Sequence, residues 1–309
     1  MLVATVAVVA QQAPAPTPPP VSNPSFTTST SLVALNVSVL DRQSRYVTGL
    51  QPTDFTVLED GIPQNVQFFE SHSVPVDLIV LLDASASMSD KLPVLHEAAI
   101  GFLKSLRNGD RGAVVSFNDS VKVLQALTSD RGALERAIQT SGARGSTALN
   151  NAVYISLKQF GQLAQHNADV RRQAIAVVTD GDDTSSMVSF DDVLALARRS
   201  GVSIYMVGLQ SPYGDQQLGD PRRRFQTESD YALKTLARET GAQAFFPSQV
   251  AQLKGIYSSI AEELANQYSI GYVPANTSAG AAFRRITVRL LSRPELTLRT
   301  RLGYTSESP

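Results

Sequence analysis

Val76-Asp77-Leu78-Ile79-Val80-Leu81-Leu82-Asp83-Ala84-Ser85-Ala86-Ser87-Met88 opens as a near-continuous apolar run. It closes on one Asp and two Ser at alternate positions, just ahead of a helical repeat. An apolar run of this length predicts a strand buried on both faces of a sheet. Open α/β sheets place their ligands at the edge where such strands end. Asp83, Ser85 and Ser87 are therefore candidate ligands of a hard divalent cation. A carboxylate supplies charge, and hydroxyls supply oxygens without neutralising the ion. The same residue types also cap helices and close turns with no ligand at all, so the reading needs support from elsewhere in the chain.

Two later stretches offer that support. Gly145-Ser146-Thr147-Ala148-Leu149 is a Gly-led loop entering a helix, with Thr147 at its start. Ala176-Val177-Val178-Thr179-Asp180-Gly181-Asp182-Asp183 is a second apolar strand ending in carboxylates. Each has an ordinary alternative: Ser146 or Thr147 as a helix cap, Asp180-Gly181 as a turn. If the strands at 76–82 and 174–179 are neighbours, Asp83 and Asp180 meet at one edge. Two such carboxylates repel and raise each other's pKa, and a divalent cation between them removes that conflict.

The rest of the chain is organised to match. Strand candidates at 76–82, 112–117, 174–179, 202–207 and 242–246 alternate with helical periods. Leu92, Leu95, Ala99, Phe102 and Leu106 recur at helical spacing, with Asn108-Gly109 as the stop. Ser189 and Asp192 form a capping pair for a helix that runs through Arg198-Arg199 to Gly201. Leu253, Ile256, Ile260 and Leu264 line one face of a last helix. This alternation predicts an α/β fold, a doubly wound, mostly parallel sheet with helices on both faces. A hairpin at Val114–Leu124, broken at Asn118-Asp119-Ser120, adds an antiparallel edge strand. Residues 31–74 and 267–309 carry short alternating strands, and the two termini are expected to pack together as a small β subdomain around the 75–266 core.

Residues 1–10 resemble the apolar part of a secretory signal, and the Pro-, Ser- and Thr-rich residues 11–30 resemble an extended tether. The expected location is extracellular, periplasmic or in the cell envelope, with no transmembrane segment. The chain has 309 residues, 43% hydrophobic and 18% charged, with a net charge of −1. That balance gives no electrostatic basis for nucleic-acid binding, and the Arg222-Arg223-Arg224 cluster sits in a polar loop. Without Cys, disulfides and thiolate chemistry are excluded. Three histidines that share no motif give little basis for a zinc site or a Ser-His-Asp triad.

Asp83-Ala84-Ser85-Ala86-Ser87, Thr147 in Gly-Ser-Thr and Asp180 in Thr-Asp-Gly together resemble the von Willebrand factor type A domain and its metal-ion-dependent adhesion site. The resemblance covers roughly 75–266, with Ala86 where the family often has Gly. It implies Mg²⁺ (or Mn²⁺ or Ca²⁺) bound through the hydroxyls of Ser85, Ser87 and Thr147, with Asp83 and Asp180 binding directly or through water. It also implies a protein partner whose Asp or Glu completes the coordination, in a binding or adhesion module rather than an enzyme. Val47-Thr48-Gly49-Leu50, Asp54-Phe55-Thr56-Val57, Glu59-Asp60-Gly61, Tyr272-x-Pro274, Phe283–Val288 and Arg301-x-Gly303-Tyr304 resemble a bacterial group of type A-related proteins, known mainly from acidobacterial genomes. That likeness extends over about residues 31–305. Two other readings stay open: a structural envelope protein whose metal only pins loops, and a metal-dependent hydrolase or phosphatase.

Overall fold

The computed structural model describes residues 32–71, 74–166, 170–180, 182–209, 228–276 and 282–306. The apolar start, the Pro-rich tether, Arg222-Arg223-Arg224 and Gly181 lie outside them. Four strands come first: β1 (Val33–Leu40), β2 (Phe55–Glu59), β3 (Ile62–Gln64) and β4 (Val66–Glu70). The core follows as β5 (Val76–Asp83), α1 (Leu92–Lys104), β6 (Arg111–Phe117), β7 (Val121–Thr128), α2 (Arg131–Gln139) and α3 (Leu149–His166). It continues with β8 (Arg172–Thr179), α4 (Phe190–Ser200), β9 (Ser203–Gly208), α5 (Glu228–Glu239), β10 (Ala244–Phe245) and α6 (Leu253–Asn266). The chain closes with β11 (Tyr268–Tyr272), β12 (Phe283–Leu290), β13 (Thr297–Arg299) and β14 (Gly303–Thr305).

The core sheet has six strands in the order β10-β9-β8-β5-β6-β7, parallel except for the β6–β7 hairpin at one edge. Every residue of β5 is buried. Leu78, Val80 and Leu82 face a layer made by α1, α2 and α6, and Ile79 and Leu81 face one made by α3, α4 and α5. Two-sided burial explains why this strand reads as a continuous apolar run rather than an alternating one. The chain builds outward from β5 through β6 and β7, then crosses back to lay β8, β9 and β10 on the other side. The strand order reverses between β5 and β8, and in open α/β sheets the carboxyl ends of the strands at such a point are the usual ligand position.

Local signals set most boundaries. The Ser189 hydroxyl accepts the N–H of Asp192 at 3.2 Å, and Gly201 ends α4 in the left-handed region at φ 69°. Two elements are shorter than the sequence suggests. Helix α1 stops at Lys104, ahead of Asn108-Gly109, because Asp110 draws the chain into the sheet. Its carboxylate accepts the N–H groups of Arg107 and Val76, each at 2.8 Å. Strand β10 keeps only Ala244 and Phe245 of the expected 242–246. The N–H of Ala242 is already committed to the Ala237 carbonyl at 2.9 Å, wrapping the end of α5. That turn requires Gly241 at φ 77°, where a Cβ would lie 2.5 Å from the backbone nitrogen of Arg301.

The terminal strands form two antiparallel sheets, β13-β1-β11-β4 and β14-β12-β2-β3, each mixing strands from before and after the core. Leu35 and Val37 of β1 join Tyr268 and Ile270 of β11 in one apolar cluster with Phe55, Val57 and Ile286 of the second sheet. Two ion pairs, each on a buried carboxylate, hold this arrangement. Arg284 meets Glu59 at 2.8 Å, and Glu59 also accepts the Tyr272 hydroxyl at 2.7 Å and the Tyr304 hydroxyl at 3.0 Å. Glu263 of α6 meets Arg299 of β13 at 2.5 Å and accepts the Ser38 hydroxyl of β1 at 2.8 Å. No helix among the described residues is long and apolar enough to cross a membrane.

Candidate metal centre

Strands β5 and β8 pair in parallel, with Leu82 opposite Val178. Asp83 and Thr179 therefore leave the sheet side by side. The Thr179 hydroxyl donates to Asp83 Oδ2 at 2.6 Å, and the Ser85 N–H donates to Oδ1 at 2.9 Å. Asp83 and Ser85 are buried, whereas Ser87 is exposed at the mouth of the site. Ser85 Oγ and Ser87 Oγ lie 3.1 Å apart, and Ser87 donates to Asp180 Oδ1 at 2.7 Å. One chain of contacts thus runs from Ser85 through Ser87 to Asp180, with Asp83 beneath it.

Thr147 arrives on the second loop. The Ala86 N–H donates to the Gly145 carbonyl at 3.0 Å, and the Arg144 N–H to the Ala84 carbonyl at 2.8 Å, so the first two loops lie against each other. The Thr147 N–H donates to Thr184 Oγ1 at 3.1 Å, and the Thr147 carbonyl accepts the N–H of Thr184 at 2.9 Å. Thr147 is buried and tied to the third loop through its backbone. Its hydroxyl stands outside the Ser85–Ser87–Asp180 contacts. It does not cap α3 either. The first free N–H groups of that helix, at Asn150 and Asn151, go to Asp183 Oδ2 at 2.8 Å and Ser186 Oγ at 3.0 Å. Asn151 returns the contact by accepting the Met187 and Val188 N–H groups, each at 3.1 Å. The third loop is therefore clamped to the start of α3, and the plain helix-cap alternative for Thr147 is set aside. The Asp180 side chain is only 1% exposed.

Burial pushes the Asp83 carboxyl above its ordinary pKa. Hydrogen bonds from Ser85 and Thr179 pull it back, and the neighbouring charge of Asp180 raises it further. Asp180 is offset by a group the sequence motifs do not include: the Lys91 ammonium contacts its Oδ2. Thr179 lies within the Thr-Asp-Gly motif, but its pairing with Asp83 is not part of what the motif reveals. Its only sequence signal is its place at the end of a buried strand, beside Asp180. Lys91 carries a weaker one, a cation four residues beyond Ser87.

The donor set suits a hard cation. The residues brought together offer two carboxylates and the hydroxyls of Ser85 and Ser87, with that of Thr147 outside their contacts, and the described residues contain no cluster of three or more His, Cys, Asp or Glu. Adjacent ligands of octahedral Mg²⁺ stand about 2.9 Å apart, given metal–oxygen distances of ~2.0–2.1 Å. The Ser85–Ser87 and Ser87–Asp180 spacings of 3.1 and 2.7 Å bracket that edge.

Comparison with known proteins agrees with this architecture. The chain is 24% identical over 246 residues to a UPF0353 protein of Mycolicibacterium vanbaalenii, covering 75% of this chain and 70% of the relative. It is 23% identical over 248 residues to a UPF0353 protein of Mycobacterium tuberculosis, covering 75% and 70%. A solved structure, the von Willebrand factor type A protein from Catenulispora acidiphila, shares the fold with a TM-score of 0.50 at 13% identity, over 91% of this chain and 76% of that one. The profile of the von Willebrand factor type A domain matches residues 77–259, and the chain belongs to that family.

Proposed function

We propose that this protein is a metal-dependent protein-binding module that acts outside the cytoplasm. A divalent cation, Mg²⁺ or alternatively Mn²⁺ or Ca²⁺, is held by Ser85, Ser87, Thr147, Asp83 and Asp180. A partner's Asp or Glu completes the coordination. The observation that carries this reading is the meeting of Ser85, Ser87 and Asp180 above the buried Asp83, with oxygen spacings that match a coordination edge. Family membership supports it, because type A domains are commonly metal-dependent interaction modules. The signal-like start and Pro-rich tether support export.

When bound, the ion supplies an electrophilic centre for an anionic oxygen. The chain's own residues do the positioning. Thr179 and the Ser85 backbone fix Asp83, and the Asp183–Asn150 and Ser186–Asn151 contacts hold the third loop on α3. Hydroxyl-rich ligation leaves positive charge on the ion, which favours a carboxylate from outside. Met187 on the third loop leaves an apolar side chain 95% exposed.

The test is capture of partners from a cell-envelope extract on immobilised protein, in Mg²⁺ and then in chelator. Specific bands should be retained in Mg²⁺ and released by EDTA. If chelator lowers the melting temperature while the bound bands stay, the metal only pins the loops and the binding role is wrong.

A further inference from the structure

Lys91 stands at the start of α1, and its ammonium contacts the Oδ2 of Asp180. The pair is enclosed, with side-chain exposures of 16% for Lys91 and 1% for Asp180. Oδ1 of the same carboxylate faces the donor set and accepts the Ser87 hydroxyl at 2.7 Å. Asp180 therefore has one oxygen turned to the centre and the other turned to a fixed cation.

We propose that Lys91 sets the charge of the centre and thereby its preference for an anionic ligand, without being a ligand itself. This rests on the metal-binding reading above. A divalent ion with Asp83 and Asp180 sums to zero charge; with Lys91 added, the sum is +1. That surplus opposes the metal and attracts an incoming carboxylate. Removing it has two consequences of opposite sign: the metal binds more tightly and the carboxylate more weakly. A merely structural role for Lys91 would weaken both or neither, since loosening α1 disturbs the Ser87 and Asp180 positions together.

Lys91→Met is unbranched and one heavy atom shorter, and keeps the tolerance of helical backbone but removes the charge. The probes are Mn²⁺ alone, followed by electron paramagnetic resonance, and acetate added to the Mn²⁺-loaded protein. Mn²⁺ is expected to bind Lys91→Met at least about tenfold more tightly than the wild type, the lower bound being the effect of a unit charge a few ångströms from a divalent ion at full water screening. Acetate is expected to bind the loaded variant about tenfold more weakly. Lys91→Arg should restore both values. Unchanged or weaker Mn²⁺ binding in Lys91→Met, or unchanged acetate binding, overturns the proposal while leaving the metal centre intact. Failure of the wild type to bind Mn²⁺ overturns the metal reading and this proposal together.

Discussion

Asp83→Asn should yield a folded protein that has lost Mg²⁺ binding by at least about 100-fold, more than the 10- to 100-fold typical of residues that only support a ligand. The variant should also be no less stable than the wild type when both are free of metal. The two halves have the same cause. Asp83 is fully buried, and burial raises its carboxyl pKa despite hydrogen bonds from Ser85 and Thr179. A carboxylate whose folded-state pKa is raised contributes most stability below its unfolded pKa and loses it as pH rises through the folded value. At neutral pH the metal-free charge is therefore a burden. An amide removes that burden and keeps the contacts. Its oxygen accepts the Ser85 N–H, and its NH₂ can donate to the Thr179 hydroxyl, which rotates to accept. Thermal unfolding with and without Mg²⁺ checks both halves. At 100 times the dissociation constant, bound metal stabilises the wild type by about 2.7 kcal/mol, and the variant should show almost none of this. An Asp83→Asn protein that keeps the Mg²⁺ shift would remove Asp83 from the site.

Glu263→Ala should lower the stability of the whole chain by about 3–5 kcal/mol, the usual loss when one member of a buried ion pair is deleted. Glu263 is fully buried on α6 and is the point where the core meets the terminal sheets. It faces Arg299 of β13 and accepts from Ser38 of β1, while Gln267 Nε2 donates to its Oε1 at 3.3 Å. Deleting it strips the Arg299 guanidinium of this counter-charge in a largely enclosed position. Glu263→Gln should lose less, because an amide oxygen still accepts from Ser38. Urea unfolding measures the difference. A loss below about 1 kcal/mol for Glu263→Ala would mean that α6 is held to the sheets by apolar packing alone.

These two residues differ in how far the sequence exposes them. The α/β core is legible because its signals are local. β5 and β8 are apolar runs, Ser189 and Asp192 cap a helix, and Gly201 closes it. Asp83, Ser85, Ser87, Thr147 and Asp180 are legible as oxygen donors at strand ends, and parallel pairing of β5 with β8 brings the first and third loops together. The partners of these residues are not legible. Lys91 lies 89 residues from Asp180, and Thr179 lies 96 residues from Asp83. Such pairs depend on sheet order, which no short window of sequence contains. The terminal sheets hide their charges in a similar way. β12 shows a regular alternation, yet Arg284 takes a buried position because Glu59, 225 residues away, is there to receive it.

Crystals grown with Mn²⁺ and measured for its anomalous signal test most directly whether Asp83, Ser85, Ser87, Thr147 and Asp180 hold one divalent cation at the carboxyl ends of β5 and β8. The expected result is one strong peak among these five side chains, with Ser85 Oγ and Ser87 Oγ as ligands. A protein saturated with Mn²⁺ that shows no peak there, or shows its peak elsewhere in the fold, would contradict the proposed centre.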